Sequence, residues 1–243
     1  MKARWPPLVL VTALLSCSQP GQYPRPTTQV LPDFPRAKYD QKPMDEVYCV
    51  DSENSQAEIL VRRGGKLARF GHDHVIAARE MQGMLLRPDG EPQNSRADVR
   101  LDLTTLIVDE PELRQKYGLD TQPTPTDISK TAGNLQSKVL ETDVWKQVHL
   151  HIKGKSESPA GLQASLTISL HGASSSFPVI IHLETPNEGR LLAQGEFKLL
   201  QSDFDIEPFS ILGGALRVEG EVQVIYHLEA WQVKPDQRCS IGT

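Results

Sequence analysis

Apolar and polar residues alternate with period two along most of the chain, and no other feature restricts the fold as much. Val99, Leu101 and Leu103 alternate with Asp98, Arg100 and Asp102, and Val148, Leu150 and Ile152 with His149, His151 and Lys153. Leu162, Ala164, Leu166, Ile168 and Leu170 share one face opposite Gln163, Ser165, Thr167 and Ser169. Near the end, Leu216, Val218, Val222, Val224, Tyr226 and Leu228 line one face, with Arg217, Glu219, Glu221, Gln223 and Glu229 on the other. Successive side chains of a strand point to opposite sides, so each run predicts a strand with one buried face. Many such strands bury those faces in a sandwich or in a closed barrel. Gly64-Gly65, Pro88-Asp89-Gly90, Ser158-Pro159-Ala160-Gly161 and Pro186-Asn187-Glu188-Gly189 place turns between neighbouring runs, which is an up-and-down hairpin rhythm.

Between Val108 and Val144 the alternation fails. Pro111-Glu112-Leu113-Arg114 and Pro125-Thr126-Asp127-Ile128 read as helix starts, and Thr126 or Asp127 is expected to cap a helix running to about Val139. Ile128, Leu135 and Val139 would then cover an open barrel end or a sheet edge. The expected fold class is mainly β, an antiparallel barrel with a short helical insertion.

The N-terminus carries an address. Lys2 and Arg4 precede an almost wholly apolar run, Leu8 to Leu15, that stops at Ser16-Cys17 and is too short for a stable membrane anchor. The pattern resembles a bacterial lipoprotein signal, residues 1–16, with Cys17 as the lipidated new terminus and Leu15 bulkier than usual. More than one acyl chain on Cys17 would give a firm membrane anchor. Ser18 after the Cys resembles outer-membrane sorting, so the expected location is the bacterial periplasm. Residues 17–45, with Pro20, Pro24, Pro26, Pro32, Pro35 and Pro43, read as a semi-extended tether. The domain is expected over residues 46–231, followed by a tail, 232–243. In an oxidising compartment Cys49 and Cys239 are candidates to pair. The net charge of −5 becomes −7 once Lys2 and Arg4 are removed with the signal, which argues against nucleic acid as a partner.

Over residues 47–229 an ordered set of pieces resembles the YceI-like, lipid- and polyisoprenoid-binding family. The pieces are Tyr48-Cys49-Val50-Asp51, Phe70-Gly71-His72-Asp73-His74-Val75-Ile76, and Leu106-Ile107-Val108-Asp109-Glu110-Pro111-Glu112-Leu113-Arg114. Val139-Leu140-Glu141, Leu166-Thr167-Ile168-Ser169-Leu170-His171-Gly172 with Phe177-Pro178-Val179, and Gln201-Ser202-Asp203-Phe204-Asp205-Ile206 leading to Gly213-Gly214 follow in order. The resemblance implies an extended lipocalin-like barrel whose apolar interior holds an isoprenoid or fatty-acyl lipid, with no catalytic chemistry and no other cofactor. Asp205 departs from the Gly usual in the family, and Ser174-Ser175-Ser176 replaces a shorter turn. The residues leave open whether the barrel is filled by its own side chains or holds a guest.

His72-x-His74 is the sharpest candidate for chemistry, because positions i and i+2 of a strand share a face. Three readings stand: hydrogen bonding to backbone at a turn, contact with a ligand head group, or part of a metal site. Two ligands are too few for tetrahedral zinc, and no third donor has recognisable spacing. Phe70 and Phe204 join them as candidate ligand contacts. His149-x-His151 has the same spacing but reads as a solvated outer face, and His171 as fixing a turn by hydrogen bonding. No nucleophile elbow, singled-out carboxylate pair or phosphate loop is present, so no enzyme is expected. The rival expectations are a metal site or enzyme centred on His72 and His74, and an envelope interaction module with a filled barrel. The sequence names no protein partner.

Overall fold

The computed structural model of the protein describes residues 33–234 together with Cys239 and Ile241. The expected signal, Cys17 and the first part of the tether lie outside these residues. The described residues begin with a short helix, α1 (Ala37–Asp40), followed by β1 (Val47–Val50), β2 (Gln56–Gly64), β3 (His74–Ala78), β4 (Gln82–Leu86), β5 (Arg96–Asp102) and β6 (Ile107–Val108). Two helices follow, α2 (Pro111–Lys116) and α3 (Pro125–Asn134), the second continued by a π-helical turn, Leu135–Val139. The remaining strands are β7 (Gln147–Ser158), β8 (Gly161–Leu170), β9 (Ala173–Glu184), β10 (Arg190–Leu200), β11 (Ser210–Ile211) and β12 (Leu216–Gln232).

Eight antiparallel strands close a ring in the order β1-β4-β5-β7-β8-β9-β10-β12, and β12 returns to β1 through Cys49↔Trp231. The length of β12 explains the architecture. One of its edges pairs with the whole of β10 through Glu221–Trp231 and with β11 through Leu216 and Arg217, while the other pairs first with β2 and then, past His227, with β1. A flap, β2-β3-β6, therefore branches from the ring. The fold is mainly β, an eight-stranded closed barrel with few helices.

Alternation becomes burial as the pleat requires. Ala97, Val99 and Leu101 of β5 and Leu162, Ala164, Leu166 and Ile168 of β8 point inward and are buried. Each large aliphatic side chain so buried contributes about 1.5–3 kcal/mol. β3 departs from alternation because both of its sides are covered. Val75 and Ala77 pack with Leu60 and with Leu113 of α2 on the outside, and Ala78 joins the inner core. Residues 75–78 accordingly form a continuous apolar run.

The helical insertion forms, but its cap lies earlier than expected. Thr124 accepts from the Asp127 backbone and Asp127 reaches back to the Thr124 backbone, a reciprocal capping box with Pro125 at the first helical position. Leu135, Val139 and Leu140 pack on the main core, whereas Ile128 does not belong to it.

The expected boundaries of the domain need correction at both ends. Residues 33–45 do not stand clear as a spacer. Tyr39 is 1% exposed, packs with Val47, Met84 and Leu86, and donates from its hydroxyl to Asp98 Oδ2 at 2.6 Å. At the other end Cys239 is bonded to Cys49 with Cα atoms 5.4 Å apart, and its carbonyl accepts from Arg36 Nη2 at 2.8 Å. Residues 33–45, a strap, and Cys239 are thus held together on the wall, where Tyr39 and Cys239 pack in one cluster with Val47 and Cys49 of β1 and Met84 and Leu86 of β4.

Candidate functional site

The inward faces of the ring enclose a lumen with a free volume of about 130 Å³. Its lining is almost wholly apolar, including Val99, Leu150, Leu166, Val179, Leu191 and Val224. Met81 and Ala57 line it from the β4 and flap sides, and Phe197 and Tyr226 from β10 and β12. Most of the barrel interior is therefore filled by side chains, and what remains is apolar.

Tyr226 brings a hydroxyl into this lining. Burial pushes its pKa up, and no hydrogen-bond partner meets it among the described residues. It lies against Gly195 of β10, where a Cβ would stand 2.5 Å from the Tyr226 Oη. Any side chain at 195 would therefore force the Tyr226 ring to shift. Tyr226 is visible in the sequence as one inward position of the β12 alternation, but nothing local sets its hydroxyl apart from an ordinary core tyrosine.

The residues singled out from the sequence fall elsewhere. Phe70 is 64% exposed in a 3-10 turn, with the Arg69 guanidinium 4.7 Å from its ring centroid, and touches no part of the lumen. Phe204 has no exposed surface and plugs the core from the 3-10 turn Gln201–Phe204 without lining the free volume. Asp205 beyond it adopts φ 55°, a left-handed conformation that Gly takes freely and Asp tolerates, which reconciles it with the glycine usual there in the resembling family.

His72 and His74 come together with ring centroids 6.2 Å apart, yet they are not lumen residues. His74 Nδ1 lies 2.6 Å from Asp109 Oδ2. Asp109 has no exposed surface on its side chain, and its other oxygen accepts from Arg114 Nη1 at 2.6 Å and from the Val75 backbone at 3.1 Å. Burial alone would raise the Asp109 pKa, but hydrogen bonds and charge from His74 and Arg114 outweigh it and hold the carboxyl below 3.8. Arg114 also donates to the Asp73 carbonyl, so α2 is tied to the start of β3. The knot fixes one nitrogen of His74. His72 Nδ1 is buried without a partner. Among the described residues no group of three or more His, Cys, Asp or Glu side chains is placed to hold a metal ion. Asp109 and Arg114 stood in a family-like segment of the sequence, but their 35-residue and 40-residue separations from His74 gave no local sign of this contact.

His149 and His151 lie on the outer face, but they are not freely solvated as expected. His151 Nδ1 lies 2.8 Å from Asp98 Oδ1, the carboxylate that also receives the Tyr39 hydroxyl. His149 stands across from Arg100, whose guanidinium lies 5.4 Å from the ring centroid of Phe34 in the strap. Burial first, and the Arg100 charge second, push the His149 pKa down to about 4. His171, at φ 53°, places its Nε2 3.2 Å from Glu141 and its ring 5.6 Å from that of Trp145, so it ties the β8–β9 turn to the end of the helical insertion.

No family model matches the chain, and no curated protein matches it. Solved structures do. A polyisoprenoid-binding domain from Saccharophagus degradans superposes with a TM-score of 0.52 at 13% identity, covering 76% of this chain and 98% of that one. Burkholderia cenocepacia BcnA superposes with a TM-score of 0.56 at 11% identity, covering 74% and 98%. The Campylobacter jejuni YCEI protein aligns at 11% identity over 65% and 85%, with a TM-score of 0.46. At these identities the likeness is one of fold, and the fold is the one implied by the sequence resemblance. The chain has the fold of the Saccharophagus polyisoprenoid-binding domain, an extended antiparallel barrel around an apolar lumen.

Proposed function

We propose that this chain is a YceI-like lipid-binding protein that sequesters or carries an isoprenoid or acyl lipid by burying its chain in the barrel. The apolar lumen carries the reading. A guest there gains about 25 cal/mol for each Å² taken from water. Arg87, Ser95, Arg96 and Tyr226 are the polar side chains bordering the lumen, too few for the many polar groups of a sugar or nucleotide. The free volume of about 130 Å³ is close to that of an apolar cavity that takes up benzene, so a longer chain must displace side chains as it enters. The flexible Met81 and the many leucines suit such repacking. The same volume favours a second reading, a filled barrel whose outer surface does the work, because it is below the ~300 Å³ of ordinary ligand pockets.

The signal-like residues 1–16 and Cys17 support a protein anchored by lipid on the periplasmic side. The role is one of binding rather than catalysis. No ligand besides the lipid is part of the reading.

Native mass spectrometry of the chain from residue 18, exported behind an ordinary signal and purified without detergent, tests the proposal together with organic extraction. An isoprenoid or acyl lipid at one per protein is the expected result. A lipid-free protein that takes up no added polyprenol would leave the filled barrel in its place.

A further inference from the structure

The short strand β1 makes three pairs with each neighbour in the ring, but only the long strands β9 and β10 part over most of their length. β9 pairs with β8 over residues 173–181, and β10 pairs with β12 along its whole length. Between β9 and β10 only three pairs form, Leu192↔Glu184, Ala193↔Leu183 and Gln194↔His182. Beyond them residues 173–181 and 195–200 diverge, and the turn Gln201–Phe204 packs back against β9 to bound the far side. Pro178 fits such a site, since a residue without an N–H is at home on a strand edge. The opening is a window in the wall.

A surface groove of about 880 Å³ leads to it, and three residues, Val179, Phe197 and Tyr226, line both this groove and the lumen. Groove and lumen are therefore the two sides of one aperture. Phe177 and Phe197 stand across it with ring centroids 5.5 Å apart, and Phe197 lies 6.2 Å from Tyr226. These contacts are between side chains only, so they can part without breaking a backbone ladder. A barrel wall held by continuous ladders offers no comparable place.

The rim also says what kind of group passes. Its two lysines are engaged, Lys116 with Glu58 at 2.7 Å and Lys198 with Glu221 at 2.7 Å, and Glu196 adds negative charge. A diphosphate or other anion would find both lysines already paired, leaving His182 and His227 as the remaining basic side chains of the groove. The unpartnered Tyr226 hydroxyl offers one donor to an uncharged oxygen. We infer that the β9–β10 window, gated by Phe177 and Phe197, admits the apolar chain of a ligand sideways into the lumen, and that Tyr226 donates a hydrogen bond to an uncharged oxygen at its end. The inference rests on the lipid-binding reading and adds the route and the class of end group.

The test uses two fluorescent probes: retinol, an isoprenoid alcohol, and diphenylhexatriene, a hydrocarbon of similar length. Opening the gate with Phe177→Ala and Phe197→Ala should raise the association rate of both probes at least about fivefold, since entry that waits on a conformational change is slow. Tyr226→Phe keeps the ring and loses one hydrogen bond, so it should weaken retinol about three- to tenfold and leave diphenylhexatriene unchanged. If the double variant is not folded by circular dichroism, Tyr226→Phe still decides the end-group contact, and Phe197→Leu, which keeps an apolar side chain, decides the route. Entry rates that ignore the window variants but respond to Leu135→Ala and Val139→Ala would place the entrance at the helix-covered end and overturn the route. Equal weakening of both probes by Tyr226→Phe would overturn the hydrogen bond. A wild-type protein that binds neither probe would remove the lipid-binding reading itself, and the inference with it.

Discussion

Two His-x-His pairs with the same spacing meet different fates in this molecule, and the contrast shows what spacing alone can specify. In each pair one ring finds an aspartate, His74 with Asp109 and His151 with Asp98, and the other ring keeps a buried nitrogen without a partner, His72 Nδ1 and His149 Nε2. The aspartates differ. Asp109 is fully enclosed and shared with Arg114, whereas Asp98 sits at the wall surface beneath the strap and is shared with Tyr39. Strand geometry sets His149 and His151 on one face of β7, whereas His72 precedes β3; the elements lying over each pair decided the rest.

The largest test of this difference is removal of each carboxylate. Asp109→Ala strands the buried Arg114 guanidinium and is expected to cost about 3–5 kcal/mol in urea unfolding, while Asp98→Ala should cost about 1–3 kcal/mol, because it leaves the buried Tyr39 hydroxyl without its acceptor but removes no partner from an enclosed charge. Equal losses would end the distinction between enclosed and surface pair. Next in size is the clasp that holds the strap over His149. Replacing Cys49 and Cys239 together with Ser should lower stability by about 2–5 kcal/mol, as expected for a bridge closing so long a loop. A loss below about 1 kcal/mol would mean that the strap holds by packing alone.

Acid separates the pairs further. The His149 pKa is depressed to about 4 from an unfolded value of 6.5, so between those values the unfolded chain binds more protons than the native one. Stability from this ring is complete above pH 6.5 and falls as pH drops towards 4, by less than about 1.4 kcal/mol per pH unit since the ring keeps some solvent contact. Thermal unfolding of His149→Gln should lack this slope. Asp109 acts in a lower window. Its pKa lies below 3.8 in the fold, so its contribution persists above that value and is lost only as pH falls further through the folded pKa. A wild-type melting temperature flat from pH 7 to 4 would contradict the assignment to His149. The smallest effect is Tyr39→Phe, which removes one hydrogen bond to Asp98 and should cost about 1 kcal/mol.

Much of the fold could be read from local patterns. The alternation in β5, β7, β8 and the second half of β12 named inward and outward residues correctly, whereas Leu216 and Val218, before the irregularity in β12, do not join the inner core, and the turns at 158–161 and 186–189 fell between the strands they were expected to join. The continuous apolar run 75–78 was harder, since period two disappears once α2 covers the second side of β3. The candidate site was less legible. His72 and His74 draw attention by residue type, but the lumen is lined by ordinary Val, Leu and Ile, and Tyr226 looks like its neighbours in the alternation. The strap was misjudged because its prolines suggest an extended spacer, while its attachment depends on Tyr39 and Arg36, two residues without periodicity.

The sequence by itself determined the strands, their buried faces and the helix starts, because those depend on residues two to four positions apart. Only the tertiary structure decided that β12 closes the ring on β1, that Cys239 meets Cys49 from 190 residues away, and that β9 and β10 part to leave a window. Such choices depend on which distant edges and side chains meet in space, and a pattern read a few residues at a time carries no record of them.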